Sequence, residues 1–274
     1  MSEYIEYNWR TSTTIEEALR NSRKPNDQNH RTNALKDLQK LIQSYEEPLP
    51  QDEKTLQKFL HARKYDVPES FELFKNYFSY RKQHPEVFSN LTLESQDIIS
   101  AIENGLPGVL PQKDRKGRSV LVFTGANWDC SYPLLSIYRA LWLILERYIE
   151  HIHNQTNGFV VIVDWTEFTF RQTSNLKPSI LKLMIEGLQD CFPARFKGVH
   201  FIGQSWYVEM ALAVIKPFLN EKIKERIYVH GNNLSTLHEH VHKDVLPTDM
   251  GGEQPSYNPE TFLASLRVKG DVKK

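Results

Sequence analysis

Residues Phe192 to Arg226 read FPARFKGVHFIGQSWYVEMALAVIKPFLNEKIKER. The short apolar run from Val199 to Ile202 predicts a buried strand. From Ser205 onward, apolar residues recur at helical spacing and cover about two-thirds of the circumference, which is more than the ~100° stripe of a surface helix. The stretch therefore predicts a strand followed by a helix that needs apolar neighbours on two sides.

Two basic pairs flank this apolar helix in the sequence. Arg195 and Lys197 precede it on an extended segment, whereas Lys222 and Arg226 follow it on one helical face. Pro217 should kink or restart the helix, because proline lacks the backbone donor and its ring crowds the preceding turn. Such an arrangement is typical of a protein that touches a membrane and holds an apolar ligand. A core helix beside solvated charges gives the same pattern, so both interpretations stay open.

Composition excludes several classes of protein. The 274 residues contain 34 Lys and Arg and 34 Asp and Glu, so no overall field favours nucleic acid, and attraction to an anionic surface must come from local clusters. The N-terminal MSEYIEYNWR lacks the pattern of a secretory signal, and no apolar run reaches the roughly 18 residues of a membrane span. Cys130 and Cys191 lie far apart and outside any C-x-x-C, which argues against a disulfide framework or a thiolate metal site. We expect a cytoplasmic protein that visits membrane surfaces.

The pattern changes near residue 100. Residues 1–100 are polar and helical in pattern and predict a small all-helical module, in which Asp52 is a candidate helix cap. Residues 101–274 alternate between strand-like and helix-like segments. The predicted strands are Ser119 to Thr124, Phe159 to Trp165, Val199 to Ile202 and Ile227 to His230. The predicted crossover helices are Pro133 to His151, Pro178 to Cys191 and Ser205 to Lys224. We therefore predict an α/β domain with a mainly parallel sheet, in which the largely apolar helix from Pro133 is a second candidate cavity wall.

Enzyme chemistry is only weakly indicated. Neither glycine-rich phosphate motif occurs, which argues against a nucleotide cofactor. Ser205 lies in GQSWY, which is similar to a nucleophile elbow with His230 and Asp164 as conceivable partners, but Tyr207 stands where the strained turn needs glycine. The residues favour Ser205 as a helix N-cap, and Asp164 as an acceptor for loop amides. A serine hydrolase remains the alternative from another class.

Three alternating histidines suggest a metal site. His238, His240 and His242 would align on an extended strand, as ligands of a metal ion can. The surrounding LSTLHEHVHKDVL has a helical pattern, which would spread the rings around the helix axis. We expect a structural role at the surface, with no metal and no cofactor.

Several longer motifs resemble the CRAL-TRIO lipid-binding family in order and approximate spacing. They are FLHARKYDVPESFELFKNYFSYRKQHPEVF, NGFVVIVDW, LQDCFPARFKGVHFI, IKPFLNEKIKERI, HGNNLSTL and LPTDMGG. Within the family, the sequence is most similar to the branch of the clavesins, the cellular retinaldehyde-binding proteins and the α-tocopherol transfer proteins. The resemblance implies a helical N-terminal module and an α/β domain that encloses an apolar pocket, closed by a lid helix over about residues 203–226.

The resemblance also implies site residues. Pocket positions carried over from the tocopherol-transfer branch are Leu141, Leu145, Phe159, Val163, Gly187, Leu188, Phe192, Ala194, Phe196 and Val199, and the apolar lid adds Trp206, Met210 and Val214. Positions that bind phosphoinositide head groups in that branch match Arg195, Lys197, Lys222 and Arg226, with Arg63 in the N-terminal module. Leu141 and Leu145 replace serines, so a polar handle for tocopherol is missing. Gly187 and Ala194 replace bulkier residues and would reshape the pocket. Trp206 matches a tryptophan of the retinaldehyde-binding branch, so a retinoid stays among the candidate ligands.

These observations predict a protein that is not an enzyme and that binds one tocopherol-, retinoid- or phospholipid-like molecule. It would transfer that molecule between membranes, recognise phosphoinositides through its basic residues, and visit endosomal or similar membranes without binding nucleic acid. A phosphoinositide-sensing trafficking adaptor without cargo is the alternative among binding proteins. The hydrolase that uses Ser205 is the alternative among enzymes.

Overall fold

The computed structural model describes residues 25–203 and 206–271, with side chains placed for 28–203 and 209–268. The chain forms two compact units, which divide between Phe71 and Glu72. The predicted boundary near residue 100, between a helical module and an α/β domain, remains a prediction.

The described part of the first unit is helical. Its helices are α1 (Pro25–Gln43), α2 (Glu53–Ala62) and the beginning of α3 (Val67–Gln83). Ala34, Leu38 and Ile42 are buried because they lie four residues apart on one face of α1. Asp52 caps α2 by accepting a hydrogen bond of 2.9 Å from the backbone nitrogen of Thr55, and this bond lowers the pKa of Asp52. The predicted cap is confirmed.

The second unit mixes helices and strands. Its strands are β1 (Gly108–Val109), β2 (Ser119–Thr124), β3 (Phe159–Asp164), β4 (Phe196–Ile202) and β5 (Ile227–Gly231). Its helices are the rest of α3, α4 (Pro85–Phe88), α5 (Gln96–Glu103), α6 (Leu134–Ile149), α7 (Ile152–Asn157), α8 (Phe170–Ser174), α9 (Pro178–Glu186), a π-helix (Gly187–Cys191), α10 (Trp206–Ile215), α11 (Glu221–Lys224), α12 (Leu234–His238) and α13 (Pro259–Asp271). Short 3-10 turns lie at Gly125–Asn127, Lys216–Phe218, Lys243–Val245 and Thr248–Met250.

The five strands form one sheet in the order β1-β2-β3-β4-β5. β1 is antiparallel to β2, and the other neighbours are parallel. Parallel neighbours need a crossover connection, and the segments with α6 and α7, with α8 and α9, and with α10 and α11 supply the three crossovers. The predicted α/β fold with a mainly parallel sheet is confirmed.

Both faces of the sheet are covered. Val160 and Ile162 on β3 belong to a core on one face, whereas Val161 and Val163 point to the other face. Successive side chains of a strand alternate between faces, so the continuous apolar run of β3 serves both layers. The second face is the one on which α6 packs.

No helix in the described ranges is both long and apolar enough to cross a membrane. α6 has 16 residues and is interrupted by Arg139, whose side chain is nearly buried. The guanidinium of Arg139 lies 2.9 Å from the carboxylate of Asp97 and donates to the carbonyl oxygens of Glu86 and Val87 at 2.9 and 3.0 Å. These partners offset the cost of burying the charge, so α6 serves as a core helix.

Candidate functional site

An apolar cavity of about 250 Å³ lies against one face of the sheet in the second unit. The strands line it at alternating positions, such as Val161 and Val163 on β3 and Val199 and Phe201 on β4. Among the described residues, Gln189 brings the only amide or charged side chain to the wall. Such a wall excludes charged solutes and accepts a hydrocarbon ligand.

The wall combines strands, helices and connecting segments. Its residues are Leu106, Phe123, Gly125, Trp128, Leu134, Ile137, Leu141, Val161, Val163, Trp165, Phe168, Leu176, Leu181, Met184, Ile185, Leu188, Gln189, Phe196, Val199, Phe201, Ile215, Leu219, Ile223 and Ile227. Leu134, Ile137 and Leu141 lie on one face of α6, because residues three and four apart are neighbours on a helix. The prediction that this helix forms a cavity wall is confirmed.

The structure brings part of the predicted pocket set to the wall and places the rest elsewhere. On the wall are Leu141, Val163, Leu188, Phe196 and Val199. Buried behind it are Leu145, Phe159, Gly187, Phe192 and Ala194. Met210 and Val214 are 43% and 36% exposed on α10, and the side chain of Trp206 lies outside the described residues. The ligand-binding roles of all these residues remain predictions.

Sequence reasoning missed most of the other wall residues. Phe123, Val161 and Phe201 alternate with residues that face the opposite core, and that period-two pattern was the available signal. Leu181, Met184 and Ile185 follow helical spacing, which was likewise readable. The periodicity of apolar residues predicts which face of a strand or helix is buried, but it does not predict where a cavity lies.

Gly187 does not enlarge the cavity. A Cβ at this position would lie 2.0 Å from the hydroxyl oxygen of Tyr138 and 2.9 Å from that of Tyr80. The two hydroxyls are 2.9 Å apart, and Tyr80 also donates to the carbonyl oxygen of Leu183 at 2.8 Å. Gly187, at the first position of the π-helix, therefore makes room for a pair of buried tyrosines.

The predicted lid consists of α10, the 3-10 turn and α11. α10 ends at Ile215 and Pro217 lies in the turn, so the predicted interruption at Pro217 is confirmed. The cavity is lined from this side by Ile215, Leu219 and Ile223. The segment therefore covers the cavity with its apolar residues.

Gly203 is the residue at which the chain leaves β4 and enters the lid segment. Its φ is +89°, and a Cβ there would lie 2.3 Å from the backbone nitrogen of Thr166. Only glycine fits both the left-handed conformation and this close approach.

Gln189 links the π-helix to the stretch between the 3-10 turn and α11, from Phe218 to Asn220, which we call the lid end. Its side-chain nitrogen donates to the carbonyl oxygen of Phe218 at 3.1 Å, and its side-chain oxygen accepts from the backbone nitrogen of Asn220 at 3.2 Å. Leu219 lies between these two residues, lines the cavity and is 9% exposed. The side-chain amide of Gln189 is therefore hydrogen-bonded to the backbone of the lid.

Arg195 forms hydrogen bonds to the backbone of α7. One terminal nitrogen of its guanidinium donates to the carbonyl oxygens of Gln155 and Thr156 at 3.0 and 2.5 Å. Burial lowers the pKa of Arg195. Its charge therefore helps to hold the end of α7.

The other predicted cations lie at different depths. Arg226 donates to the carbonyl oxygen of Phe196 at 2.7 Å, which brings it to the start of β4, next to Lys197. Lys197 is half-buried and Lys222 is exposed. Arg63 belongs to the first unit, where it is the half-buried C-cap residue of α2. Phosphoinositide binding by these residues remains a prediction.

The residues considered for a hydrolase have other partners. Ser205 lies outside the described residues. Asp164 accepts a hydrogen bond of 2.8 Å from the backbone nitrogen of Thr166, which is the loop-amide role that the sequence favours. The ring nitrogens of His230 lie 3.0 Å from Nδ1 of His200 and 2.7 Å from the hydroxyl of Thr236.

His200 is 1% exposed on the sheet face opposite the cavity. Its ring stacks on Tyr228 with 4.8 Å between centroids. Burial lowers the pKa of His200 to about 3, and the neighbouring His230 and His240 contribute in the same direction. This imidazole is therefore neutral in the folded protein at physiological pH.

The predicted helix around the three alternating histidines is wrong beyond His238, where α12 ends. The chain then turns, and each ring meets a different neighbour. His238, His240 and His242 lie against the carbonyl oxygen of Met250, the ring of Tyr228 and the carboxylate of Asp244, respectively. Within the described ranges, no group of three or more His, Cys, Asp and Glu side chains is arranged so that it could hold a metal ion.

Comparison with known proteins gives a family match and close relatives. The model of the CRAL/TRIO domain matches residues 103–252. Clavesin-2 of Rattus norvegicus is 47% identical over 216 residues, which are 78% of this chain and 66% of that protein. Clavesin-1 of Xenopus laevis is 46% identical over 216 residues, which are 78% of this chain and 65% of that protein. The chain thus spans slightly less than two thirds of the curated relatives it matches.

The fold is also similar to a solved structure. The crystal structure of Sfh5 superposes with a TM-score of 0.58, covering 90% of this chain and 98% of that one. The sequences are 12% identical, so this likeness concerns the fold alone.

Proposed function

This chain belongs to the CRAL/TRIO family of lipid-binding and lipid-transfer proteins, and we propose that it holds one hydrophobic molecule in the cavity and carries it between membranes. The observation that carries the proposal is the wall described above, in which apolar side chains from the sheet, α6 and the lid surround one space. No catalytic step is part of the proposal.

The hydrophobic effect supplies enough affinity for such a ligand. At about 0.8 kcal/mol per buried CH₂, a dozen methylene groups contribute roughly 10 kcal/mol before ordering costs are subtracted. Few hydrogen bonds are therefore needed, which agrees with a wall whose described residues carry the single amide of Gln189.

The cavity favours a ligand with little polarity. Leu141 lines it where the tocopherol-transfer branch has a serine, and Leu145 is buried behind it. A retinoid-like molecule, or the acyl chains of a phospholipid, therefore fits the wall better than a molecule that needs a hydroxyl partner from α6. One molecule per chain is expected from a volume of about 250 Å³.

Delivery requires contact with a bilayer, and exposed apolar side chains support it. Met210 and Val214 are 43% and 36% exposed on α10, and Phe170 is 61% exposed on the neighbouring α8. Insertion of these side chains would open the lid towards the acyl chains.

We propose further that cations beside the lid bind phosphoinositide head groups. This binding would bring the protein from the cytoplasm to endosomal or other phosphoinositide-containing membranes. Lys222 is exposed, and Arg226 meets the backbone of β4 at Phe196, one residue before Lys197, which supports a shared anionic ligand. Arg195 and Arg226 also hold backbone carbonyl groups, so their replacement would disturb the fold locally.

The test combines ligand analysis with transfer. Organic extraction and native mass spectrometry of the purified protein should show one lipid per chain. Transfer of a fluorescent lipid to phosphatidylcholine vesicles should accelerate when phosphatidylinositol bisphosphate is added. Lys197→Gln/Lys222→Gln should reduce affinity for those vesicles by roughly thirtyfold, because each cation near an anionic surface contributes about 1 kcal/mol.

Distinct outcomes separate the alternatives. Binding to phosphoinositide vesicles without any bound lipid would favour the trafficking adaptor. Esterase turnover that disappears in Ser205→Ala would overturn the non-catalytic proposal. Equal transfer rates with and without phosphatidylinositol bisphosphate would refute the phosphoinositide step alone.

A further inference from the structure

A second groove, of about 520 Å³, lies between the lid and the outer edge of β5. Its lining residues are Leu212, Lys216, Pro217, Lys224, Ile227 and Val229. Apolar and basic side chains thus meet in one concave surface, which is the composition that suits an amphipathic anion.

The cations of the groove are exposed. Lys216 lies at the start of the 3-10 turn that ends α10. Lys224 pairs with Glu221 at 2.7 Å, with the two side chains 40% and 85% exposed. Exposed pairs of this kind are weak, so a phosphate that approaches both lysines can displace the carboxylate. Lysine carries a point charge on a flexible side chain, so Lys216 and Lys224 can bind a negative charge without selecting one particular head group.

The apolar part of the groove indicates that the anion carries hydrocarbon. Val229 is 56% exposed at the edge of the sheet, and Leu212 is buried beneath the groove. Ile227 lines both the groove and the cavity, so its side chain is a wall common to the two spaces. A soluble phosphate gains nothing from these surfaces, whereas a membrane lipid buries them.

We propose that this groove binds an anionic glycerophospholipid of the membrane surface, with the phosphate at Lys216 and Lys224 and the apolar portion on Ile227 and Val229. The site differs from the phosphoinositide-binding set above, in which Arg195 and Arg226 hold backbone carbonyl groups. The inference rests on the proposed function, because it assigns how the lid end meets the bilayer. A lipid bound in the groove contacts one side of Ile227, whose other side lines the cavity that holds the hydrophobic ligand.

The experiment measures binding of the full chain to vesicles of phosphatidylcholine with phosphatidylserine and of phosphatidylcholine alone. Lys216→Gln/Lys224→Gln should weaken binding to the anionic vesicles by roughly thirtyfold and leave the neutral ones unaffected. Lys116→Gln/Lys243→Gln is the matched control, since it removes two exposed cations elsewhere in the second unit. Val229→Glu places a negative charge in the groove without removing a lysine and should weaken binding to the same vesicles.

Competitors identify the occupant. Soluble glycerol 3-phosphate should not displace the protein from anionic vesicles, and neither should an acidic peptide of polyglutamate. Displacement by either one would overturn the lipid assignment, and equal losses in the groove and control variants would overturn the site. A chain that carries no extractable cargo yet binds phosphatidylserine through the groove would refute the proposed transfer function and support this inference.

Discussion

Replacing Gln189 with leucine should loosen the lid without unfolding the protein. Gln189 makes two hydrogen bonds to the end of the lid, one to the carbonyl oxygen of Phe218 at 3.1 Å and one from the backbone nitrogen of Asn220 at 3.2 Å. Leucine retains an apolar stem at the cavity wall but can make neither bond. The closed lid therefore loses both while the rest of the core is preserved.

The magnitude follows from the two bonds. A neutral hydrogen bond contributes about 0.5–1.5 kcal/mol net, so the closed state loses roughly 1–3 kcal/mol. Since about 1.4 kcal/mol corresponds to a factor of ten, the open population should rise by roughly 5- to 150-fold. Release of a loaded fluorescent lipid should accelerate by a similar factor if opening limits release.

The assay pairs stopped-flow release to acceptor vesicles with amide hydrogen exchange across residues 216–220. Gln96→Leu is the matched control, because Gln96 is exposed on α5 and its side chain bonds locally, to the hydroxyl of Ser100. The free energy of unfolding in urea should fall by no more than those roughly 1–3 kcal/mol in Gln189→Leu and should change little in Gln96→Leu. If Gln189→Leu leaves both the release rate and exchange at the lid end at wild-type values, Gln189 does not hold the lid.

Three further predictions concern the cavity, the core and pH. Leu141→Arg should abolish lipid loading, measured by native mass spectrometry, because a charge in the apolar wall costs several kcal/mol; retained loading would contradict the cavity assignment. Gly187→Ala should lower the free energy of unfolding by about 1–3 kcal/mol through the clash with Tyr138, and Tyr138→Phe should recover part of that loss; no change in urea unfolding would contradict the contact. His200 has a folded pKa of about 3 against an unfolded value of 6.5, so its contribution is present above pH 6.5 and is lost as pH falls towards 3. Between pH 7 and pH 5 the free energy of unfolding should therefore fall by about 2 kcal/mol, and His200→Asn should flatten that slope in urea titrations.

Much of the architecture was readable from local pattern. The continuous apolar run of β3 predicted a strand buried on both faces, and Asp52 and Pro217 predicted a helix start and a helix interruption. These features depend on residues within a few positions of one another. Backbone geometry and side-chain alternation therefore suffice to predict them.

The candidate site was only partly readable. Leu141 and Leu145 lie one turn apart on α6 with the same side chain, yet the first lines the cavity and the second is packed in the core. Sequence resemblance assigned both to the pocket, because periodicity identifies an apolar face but not what covers it. The covering depends on helices and strands that are distant along the chain.

The same limit applies to the polar groups. By itself, the sequence determined the α/β order, the apolar helix that follows β4 and the basic pairs that flank this helix. Only the tertiary structure decided that Gln189 holds the lid end and that Arg195 holds two carbonyl groups of α7. Only it decided that Lys216 and Lys224 share a groove with Val229. Gln189 and Arg195 have partners about thirty to forty residues away, and a hydrogen bond or a groove exists only where packing brings such distant atoms within a few ångströms.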